Sequence, residues 1–256
     1  MFTRSSAASS RSLRPVVDPD GGSFEPLNSL AGSPHRLARW RTYYSGEELV
    51  PSFVLIGPRG HGVPVRLALI AGLSVEERIG TTALAKLLVE CELAPLLAQD
   101  YAVFGYPWAN RKPQRGSREF SKDFWRGSTD PAVRFFEHEF EVNQFDAVVF
   151  IQGNELISGF QLRTCSRFIA TEVLWPAVEL AQRFLPLAPE PIRVWPCQGS
   201  QQTSIFNLGH LRPRPFCLSV CTPRHAPEEN QIAAIVFGIK QILQHYRAAV
   251  GYAGRL

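Results

Sequence analysis

The sequence predicts an α/β fold, a three-layer α/β/α sandwich with a central mixed sheet. Segments with strand character alternate with long helical segments, which is the pattern of such sandwiches. One segment, residues 147–152 (AVVFIQ), is continuously apolar, as expected of a central strand that is buried on both faces. Two early strand segments flank a Gly-rich turn and predict a hairpin, which would make the sheet mixed and not purely parallel.

The first half of the chain supplies three predicted strands and one helix. Residues 52–57 and 63–71 are the two strands of the hairpin, joined by the turn GPRGHG. A helix is predicted over residues 75–93, because apolar residues recur there at helical spacing. Residues 101–106 form a third predicted strand, which ends at Pro107.

The second half adds the central strand, a late strand and three helices. The helix over residues 130–143 opens with Asp-Pro, which offers an N-cap and a first-turn proline. Further helices are predicted over residues 171–184 and 227–250, and the late strand over residues 216–221. The carboxyl ends of four strands are expected to line one crevice, the usual ligand position in an open α/β sheet. These ends lie near positions 72, 106, 152 and 221.

Composition limits the class of protein. At 256 residues the chain is long enough to bury a substantial core. It has no apolar run of the roughly 18 residues that a membrane span needs, so no membrane partner is expected. A net charge of +4 is too small to indicate a nucleic-acid partner. The five cysteines form no CxxC pair, so reduced thiols and a cytoplasmic location are expected.

The amino-terminal segment differs in composition from the rest of the chain. Residues 1–40 are expected to be a disordered tail, and residues 41–256 a single domain, since Pro, Gly and Ser are frequent up to position 34. The first 15 residues are rich in Ser and Arg and contain no acidic residue, which is also the composition of an organelle transit peptide. The sequence leaves a tail and a targeting segment open as interpretations.

Several segments together carry a resemblance to a known family. They are HGVPVRLALIAGL, ERIGTTALAKLL, VFGYPWAN, RGSRE, DFWRGS and the late strand that ends in Thr222-Pro223. Over roughly residues 50 to 248 the chain resembles the succinylglutamate desuccinylase/aspartoacylase family, a branch of the zinc carboxypeptidase-like hydrolases. The resemblance implies a zinc-peptidase-like fold. In the family, a zinc-bound water hydrolyses an amide or ester bond.

The resemblance implies a metal site whose residues are changed in this chain. The first family ligand, a His, falls on Ser74, and the ligand Glu is kept as Glu77. The second ligand His falls on Gln152, and the catalytic Glu falls on Cys221, just before Thr222-Pro223. A hydroxyl and an amide thus stand in place of two ligands, and a thiol in place of the general base. No cofactor is therefore expected, and no catalytic residue is assigned.

The resemblance also implies an anion-binding position beside the crevice. The family's upstream arginine falls on Arg118, with Arg115 as an alternative register, and its Asn-Arg pair falls on Ser121-Lys122. All lie in a basic and aromatic loop over residues 108–126. Such cations are expected to attract a small anionic ligand. A single-stranded nucleic-acid contact and a solvated loop without a ligand remain alternatives for this composition.

Simple structural roles also exist for the same residues. Ser74 and Glu77 have the spacing of a capping box, in which each side chain accepts a backbone N–H at a helix start. Gln152 can serve as a hydrogen-bonding residue at a strand end, and Cys221 as a small buried apolar residue. Cys221 could instead act as a nucleophile if a histidine such as His225 lay beside it.

The sequence therefore predicts a non-catalytic member of this family that binds a small anionic ligand, or a partner protein, in the vestigial crevice. The first alternative is a zinc-dependent hydrolase of amide or ester bonds in N-acyl amino acid-like substrates. A second is a metal-free thiol enzyme that uses Cys221. The identity of the ligand and the oligomeric state do not follow from the sequence.

Overall fold

The computed structural model of the protein describes residues 25–31, 36–40, 50–60, 62–73, 78–109, 131–195 and 215–253. The strands in these ranges are β1 (Leu37–Trp40), β2 (Ser52–Ile56), β3 (Val65–Ile70), β4 (Tyr101–Tyr106), β5 (Ala147–Glu155), β6 (Phe160–Thr164), β7 (Leu187–Val194) and β8 (Phe216–Pro223). The helices are α1 (Glu25–Leu30), α2 (Arg78–Leu93), α3 (Pro131–Asn143), α4 (Arg167–Glu172), α5 (Trp175–Ala181) and α6 (Glu228–Ala253).

The described strands form one mixed sheet in the order β1-β2-β4-β3-β5-β8-β6-β7. The four central strands, β4, β3, β5 and β8, run parallel to one another. β2 is antiparallel to β4 on one side, and β6 is antiparallel to β8 on the other. The central strands are largely buried on both faces, which explains their nearly continuous apolar sequences.

Helices cover both faces of the sheet, because successive strand residues alternate between two cores. On one face, Leu67 and Leu69 of β3 pack in the core that α2, α5 and α6 complete. On the opposite face, Ala68 and Ile70 pack with the phenylalanines of α3. The α/β sandwich predicted from the sequence is therefore confirmed.

The predicted hairpin between residues 52–57 and 63–71 is wrong. β4 lies between these two strands, antiparallel to β2 and parallel to β3. The Gly-rich segment between them is held by Asp100, whose carboxylate accepts the N–H of Gly60 and whose carbonyl accepts the N–H of Val65 at 2.8 Å. All six residues of β4 are buried, as expected of a strand that lies between two others, and β4 therefore separates the two sequence neighbours.

The helix predicted over residues 171–184 is also wrong in its extent, because two short helices, α4 and α5, occupy this region. Ser166 starts the first, where its Oγ accepts the N–H of Ile169 at 3.3 Å. Pro176 stands in the first turn of the second, where a missing N–H breaks no helical hydrogen bond. The proline therefore begins a helix and does not lie inside one.

β6 and β7 complete one side of the sheet and are not among the strands that the sequence predicts. β7 contains Pro189 and Pro191, which interrupt its strand pattern in the sequence. It lies at the edge of the sheet, the position where a strand tolerates proline. The register of β6 with β7 shifts between Phe160 and Leu162.

Two elements fall within residues 1–40, the range expected to be a tail. Leu27 of α1 and Leu37 of β1 are buried in the core, and β1 pairs with β2. The tail and the domain boundary at residue 41 otherwise remain predictions. Within the described ranges, every helix is too short or too polar to cross a bilayer.

Candidate functional site

The crevice at the carboxyl ends of β5 and β8 brings together two residues that the sequence analysis singled out. Gln152 and Cys221 are register partners in these neighbouring strands. The Cys221 thiol donates to the Gln152 Oε1, with 3.5 Å between the sulfur and the oxygen. Cys221 is fully buried, whereas Gln152 is half-buried and reaches the rim of the crevice.

The amino end of α2 packs directly against the end of β5. A Cβ at Gly153 would meet the Ile79 Cβ at 2.7 Å and the backbone nitrogen of Gly80 at 3.3 Å. Residue 153 must therefore be glycine for the helix to approach this closely. The start of α2 thus lies beside Gln152.

The ends of β3 and β4 are fixed to each other by a tight turn. Gly72 has a φ of +64°, and a Cβ there would meet the Thr81 Oγ1 and the Pro107 oxygen at 2.9 Å. The Thr81 hydroxyl donates to that same carbonyl at 2.7 Å. The Ala109 N–H donates to the Ala71 carbonyl at 2.9 Å. These contacts hold the wall of the crevice opposite β8.

The end of β8 is held by a buried polar chain that reaches α6. The Thr222 hydroxyl donates to the Gln231 Oε1 at 2.6 Å, and the Gln231 Nε2 donates to the Ala226 carbonyl at 2.8 Å. Thr222 and Gln231 are both buried. The Thr-Pro pair that the sequence analysis used as a marker therefore anchors the strand and fixes the position of Cys221.

Five of the seven predicted site residues lie outside the described residues. They are Ser74, Glu77, Arg115, Arg118 and Lys122. The capping box and the cationic loop consequently stay predictions. The thiol-enzyme alternative gains no partner from His225, which is exposed and makes no hydrogen bond to Cys221 in the described part of the chain.

A second row of polar residues on β6 continues the same face of the sheet and was missed by sequence reasoning. Gln161 is the register partner of Cys221, and Arg163 is the register partner of Ser219. The Arg163 Nε donates to the Gln161 Oε1 at 2.7 Å. The signal in the sequence is the alternation of polar and apolar residues in FQLRT, which is typical of a strand with one polar face.

A buried carboxylate lies under the end of β4. The Tyr106 hydroxyl donates to the Glu139 Oε2 at 2.6 Å, and the Asn143 Nδ2 donates to the same oxygen at 3.3 Å. Burial, and then the adjacent Glu139 carboxylate, raises the pKa of Tyr106 well above its ordinary value. Glu139 is 2 % exposed although its neighbour His138 is exposed, as expected from alternating faces of an amphipathic helix.

The one described ligand position of the expected zinc site, Gln152, does not fit the metal. Zinc sites of this type use two His and one carboxylate. Here this position holds an amide, whose oxygen accepts a hydrogen bond from the thiol of Cys221 at the position of the expected general base. Within the described ranges, no three His, Cys, Asp or Glu side chains are grouped so that they could hold a metal ion.

Comparison with known proteins relates the chain to solved structures only. No family model and no curated protein matches the sequence. A candidate metallopeptidase from Shewanella amazonensis SB2B is 14% identical, with a TM-score of 0.64 over 86% of this chain and 91% of that one. A metallo-carboxypeptidase from Burkholderia cenocepacia is 11% identical, with a TM-score of 0.60 over 88% and 68%.

Murein-tripeptide amidase MpaA from Escherichia coli O157 is 13% identical, with a TM-score of 0.53 over 84% of this chain and 95% of that one. The TM-scores show that these proteins share the fold of this chain. At identities this low, a shared fold does not imply a shared activity. The chain therefore has a zinc carboxypeptidase-like fold.

Proposed function

We propose that the protein is a non-catalytic member of the succinylglutamate desuccinylase/aspartoacylase family, which binds a small anionic ligand in the crevice at the ends of β5 and β8. The observation that carries this proposal is the hydrogen bond from Cys221 to Gln152. These residues stand where the family resemblance expects a catalytic Glu and a zinc-binding His. The likeness to metallo-carboxypeptidases supports the proposal at the level of the fold.

The Cys221–Gln152 pair is poorly suited to the hydrolytic reaction. That reaction needs a metal to activate water and a base to take the proton of that water. The thiol is fully buried and donates its own proton to an amide oxygen, so it does not offer a basic atom to the crevice. The amide oxygen of Gln152 is not among the usual zinc donors.

The same pair is well suited to binding an anion. The Gln152 Oε1 accepts from the thiol, so the Nε2 of the amide is directed away from Cys221. Nε2 donates to no residue in the described part of the chain, and the side chain is half-buried. Arg118 and Lys122, with Arg115 as an alternative, are proposed to add positive charge, and Ser74 and Glu77 to border the same crevice.

A zinc-dependent hydrolase of amide or ester bonds in N-acyl amino acid-like substrates is the second candidate. The fold likeness to a metallo-carboxypeptidase and an amidase favours it. It would require Ser74 and Gln152 to bind zinc together with Glu77, a donor set that lacks both histidines. A partner protein seated in the crevice is a third candidate.

The experiment is ligand-induced thermal stabilisation of the full chain. Small dicarboxylates, N-acyl amino acids and inorganic phosphate would be screened at constant ionic strength. We expect at least one of these anions to raise the melting temperature, and the shift to fall with added salt. The shift should shrink in Gln152→Leu and persist in Gln182→Leu, a matched change of an exposed glutamine. A shift that survives Gln152→Leu unchanged, or no shift at all, contradicts anion binding in the crevice.

A further inference from the structure

We infer that Arg163 and Arg193 form a carboxylate-binding subsite on β6 and β7, with Trp195 as its platform. The inference rests on the proposed function, because it assigns a place to the anionic group of that ligand. It also adds a part of the site that lies outside the basic loop. The two arginines are register partners in parallel neighbouring strands, so their side chains start on the same face about 4.8 Å apart.

Both guanidinium groups are held by one aromatic ring. The Arg163 Cζ lies 5.8 Å from the centroid of the Trp195 ring, and the Arg193 Cζ lies 5.2 Å from it. The backbone N–H of Trp195 donates to the Thr164 carbonyl at 2.8 Å, which fixes the backbone of the tryptophan beside β6. Two like charges directly opposite each other destabilise a sheet. An anion between them would remove that repulsion.

Glu190 does not neutralise the positive charge of Arg163 and Arg193. Arg193 meets Glu190 at 3.8 Å, but these side chains are 51% and 64% exposed, so the ion pair is weak. Arg163 forms no ion pair with any carboxylate among the described residues; its Nε donates to the neutral Gln161 Oε1. Its two terminal nitrogens are left to bind a carboxylate with two parallel hydrogen bonds.

Gln161 is fixed so that it directs Arg163. The Gln161 Nε2 donates to the Glu190 carbonyl at 2.9 Å, in the region where the register of β6 and β7 shifts. The side chain is only 8% exposed, and its Oε1 therefore faces the Arg163 Nε. Gln161 pairs with Cys221, so it lies nearer than Arg163 to the crevice end of the sheet. Its contact with the Arg163 Nε therefore directs the guanidinium toward the crevice.

An unpaired hydroxyl lies beside the arginine. Ser219 is the register partner of Arg163 on β8 and is fully buried. Its Oγ has no hydrogen-bond partner in the described part of the chain. Buried polar atoms almost always have a partner, and such an exception calls for an explanation. A hydrogen bond from this hydroxyl to a ligand oxygen beside Arg163 would explain the missing partner.

The subsite is joined to the crevice by a row of register partners. Gln152, Cys221 and Gln161 face one another across β5, β8 and β6. Two strand spacings separate the ends of the row, so Gln152 and Gln161 are about 10 Å apart. The ligand class that fits is an elongated molecule with a carboxylate at one end and a hydrogen-bond acceptor, such as a carbonyl or second carboxylate, at the other.

The test is calorimetric titration of the full chain with a series of α,ω-dicarboxylates of increasing length, from succinate to suberate. We expect a longer member to bind best. Arg163→Gln and Arg193→Gln should each weaken it about tenfold or more, because each removes a charged hydrogen-bonding group. Arg163→Lys should recover part of the loss. Arg183→Gln, at an exposed arginine in the turn after α5, should bind like the wild type.

The pattern of losses separates this inference from the proposed function. Binding that is weakened by Gln152→Leu but unchanged in Arg163→Gln and Arg193→Gln overturns the subsite and keeps the crevice. Binding that is weakened by the arginine variants and unchanged in Gln152→Leu keeps the subsite and contradicts the crevice. No binding of any dicarboxylate at millimolar concentration overturns the subsite, and zinc content then decides between the two proposed functions. Melting curves of each variant verify that the fold is retained.

Discussion

At the scale of single residues, Cys221 and Gln152 make a neutral contact in the place where the family resemblance expects charged and metal-binding groups. A buried carboxylate needs a compensating cation or several donors, because its desolvation is costly. A buried thiol bonded to an amide has no such requirement. The contact at the end of β8 therefore needs no compensating charge.

Tyr106 and Glu139 show the opposite situation, a buried carboxylate that does need its donors. Two donors, the Tyr106 hydroxyl and the Asn143 amide, reach the same oxygen of Glu139. This cluster fixes α3 to the end of β4, next to the wall of the crevice.

Tyr106→Phe should lower the free energy of unfolding by about 1–3 kcal/mol, because a buried carboxylate loses one of its donors. Urea unfolding of the purified variant measures the change. Glu141→Gln, at an exposed position on the same helix, is the matched control and should stay within about 0.5 kcal/mol of the wild type. A Tyr106→Phe variant as stable as the wild type would mean that the hydroxyl does not stabilise Glu139.

At the scale of elements, the close packing of α2 on β5 determines where the crevice begins. Gly153 permits this approach, since any Cβ there would overlap Ile79. The helix start and the strand end then share one corner of the sheet.

Gly153→Ala should destabilise the protein by about 1–3 kcal/mol, because the added methyl group forces α2 away from β5. The matched control is Gly238→Ala in α6, where the nearest atom to a new Cβ is the Phe160 Cζ at 3.4 Å. Alanine favours a helix over glycine by up to about 1 kcal/mol, so this control should be neutral or stabilising. Equal effects of the two changes on the urea midpoint would refute the packing argument.

At the scale of the whole molecule, the sequence predicts what is determined locally and fails where distant segments pair. β4 is confirmed at its predicted bounds and α3 to within one residue, because an apolar run before Pro107 and an Asp-Pro helix start are local signals. The hairpin is wrong, because the pairing of β2 is decided by the burial of β4, nearly fifty residues away. β6 and β7 were not predicted, because their polar residues and prolines hide the strand pattern in the sequence at this side of the sheet. The arginine subsite lies on these two strands and was therefore missed as well.

Both cores contain groups that keep their protons in the folded state. Burial, opposed by the Lys240 charge, raises the pKa of the Cys91 thiol from 9.0 to about 12, and burial also raises the pKa of the Tyr106 hydroxyl. The unfolded chain loses these protons at a lower pH than the folded chain. The stability they contribute is therefore fully present below pH 9.0 and is lost as the pH rises.

The urea midpoint should accordingly decrease steadily when the pH is raised above 9.0. Cys91→Ala removes one of the titrating groups and should make this decrease less steep, whatever it does to stability at neutral pH. Glu141→Gln, which leaves both groups in place, serves as the control. An identical slope in Cys91→Ala and wild type would contradict the assignment of this group.

The zinc content of the purified protein tests the central claim most directly. After expression with added zinc and exhaustive dialysis, mass-spectrometric metal analysis should find well under one equivalent per chain, because Gln152 is hydrogen-bonded to Cys221, and because Ser74 and Gln152 stand where the family resemblance expects two histidine ligands. Ser74→His combined with Gln152→His should raise the zinc content, since it supplies two ligands beside Glu77. A full equivalent in the wild type that survives dialysis and is lost in Glu77→Ala would contradict the non-catalytic account and favour a working zinc hydrolase.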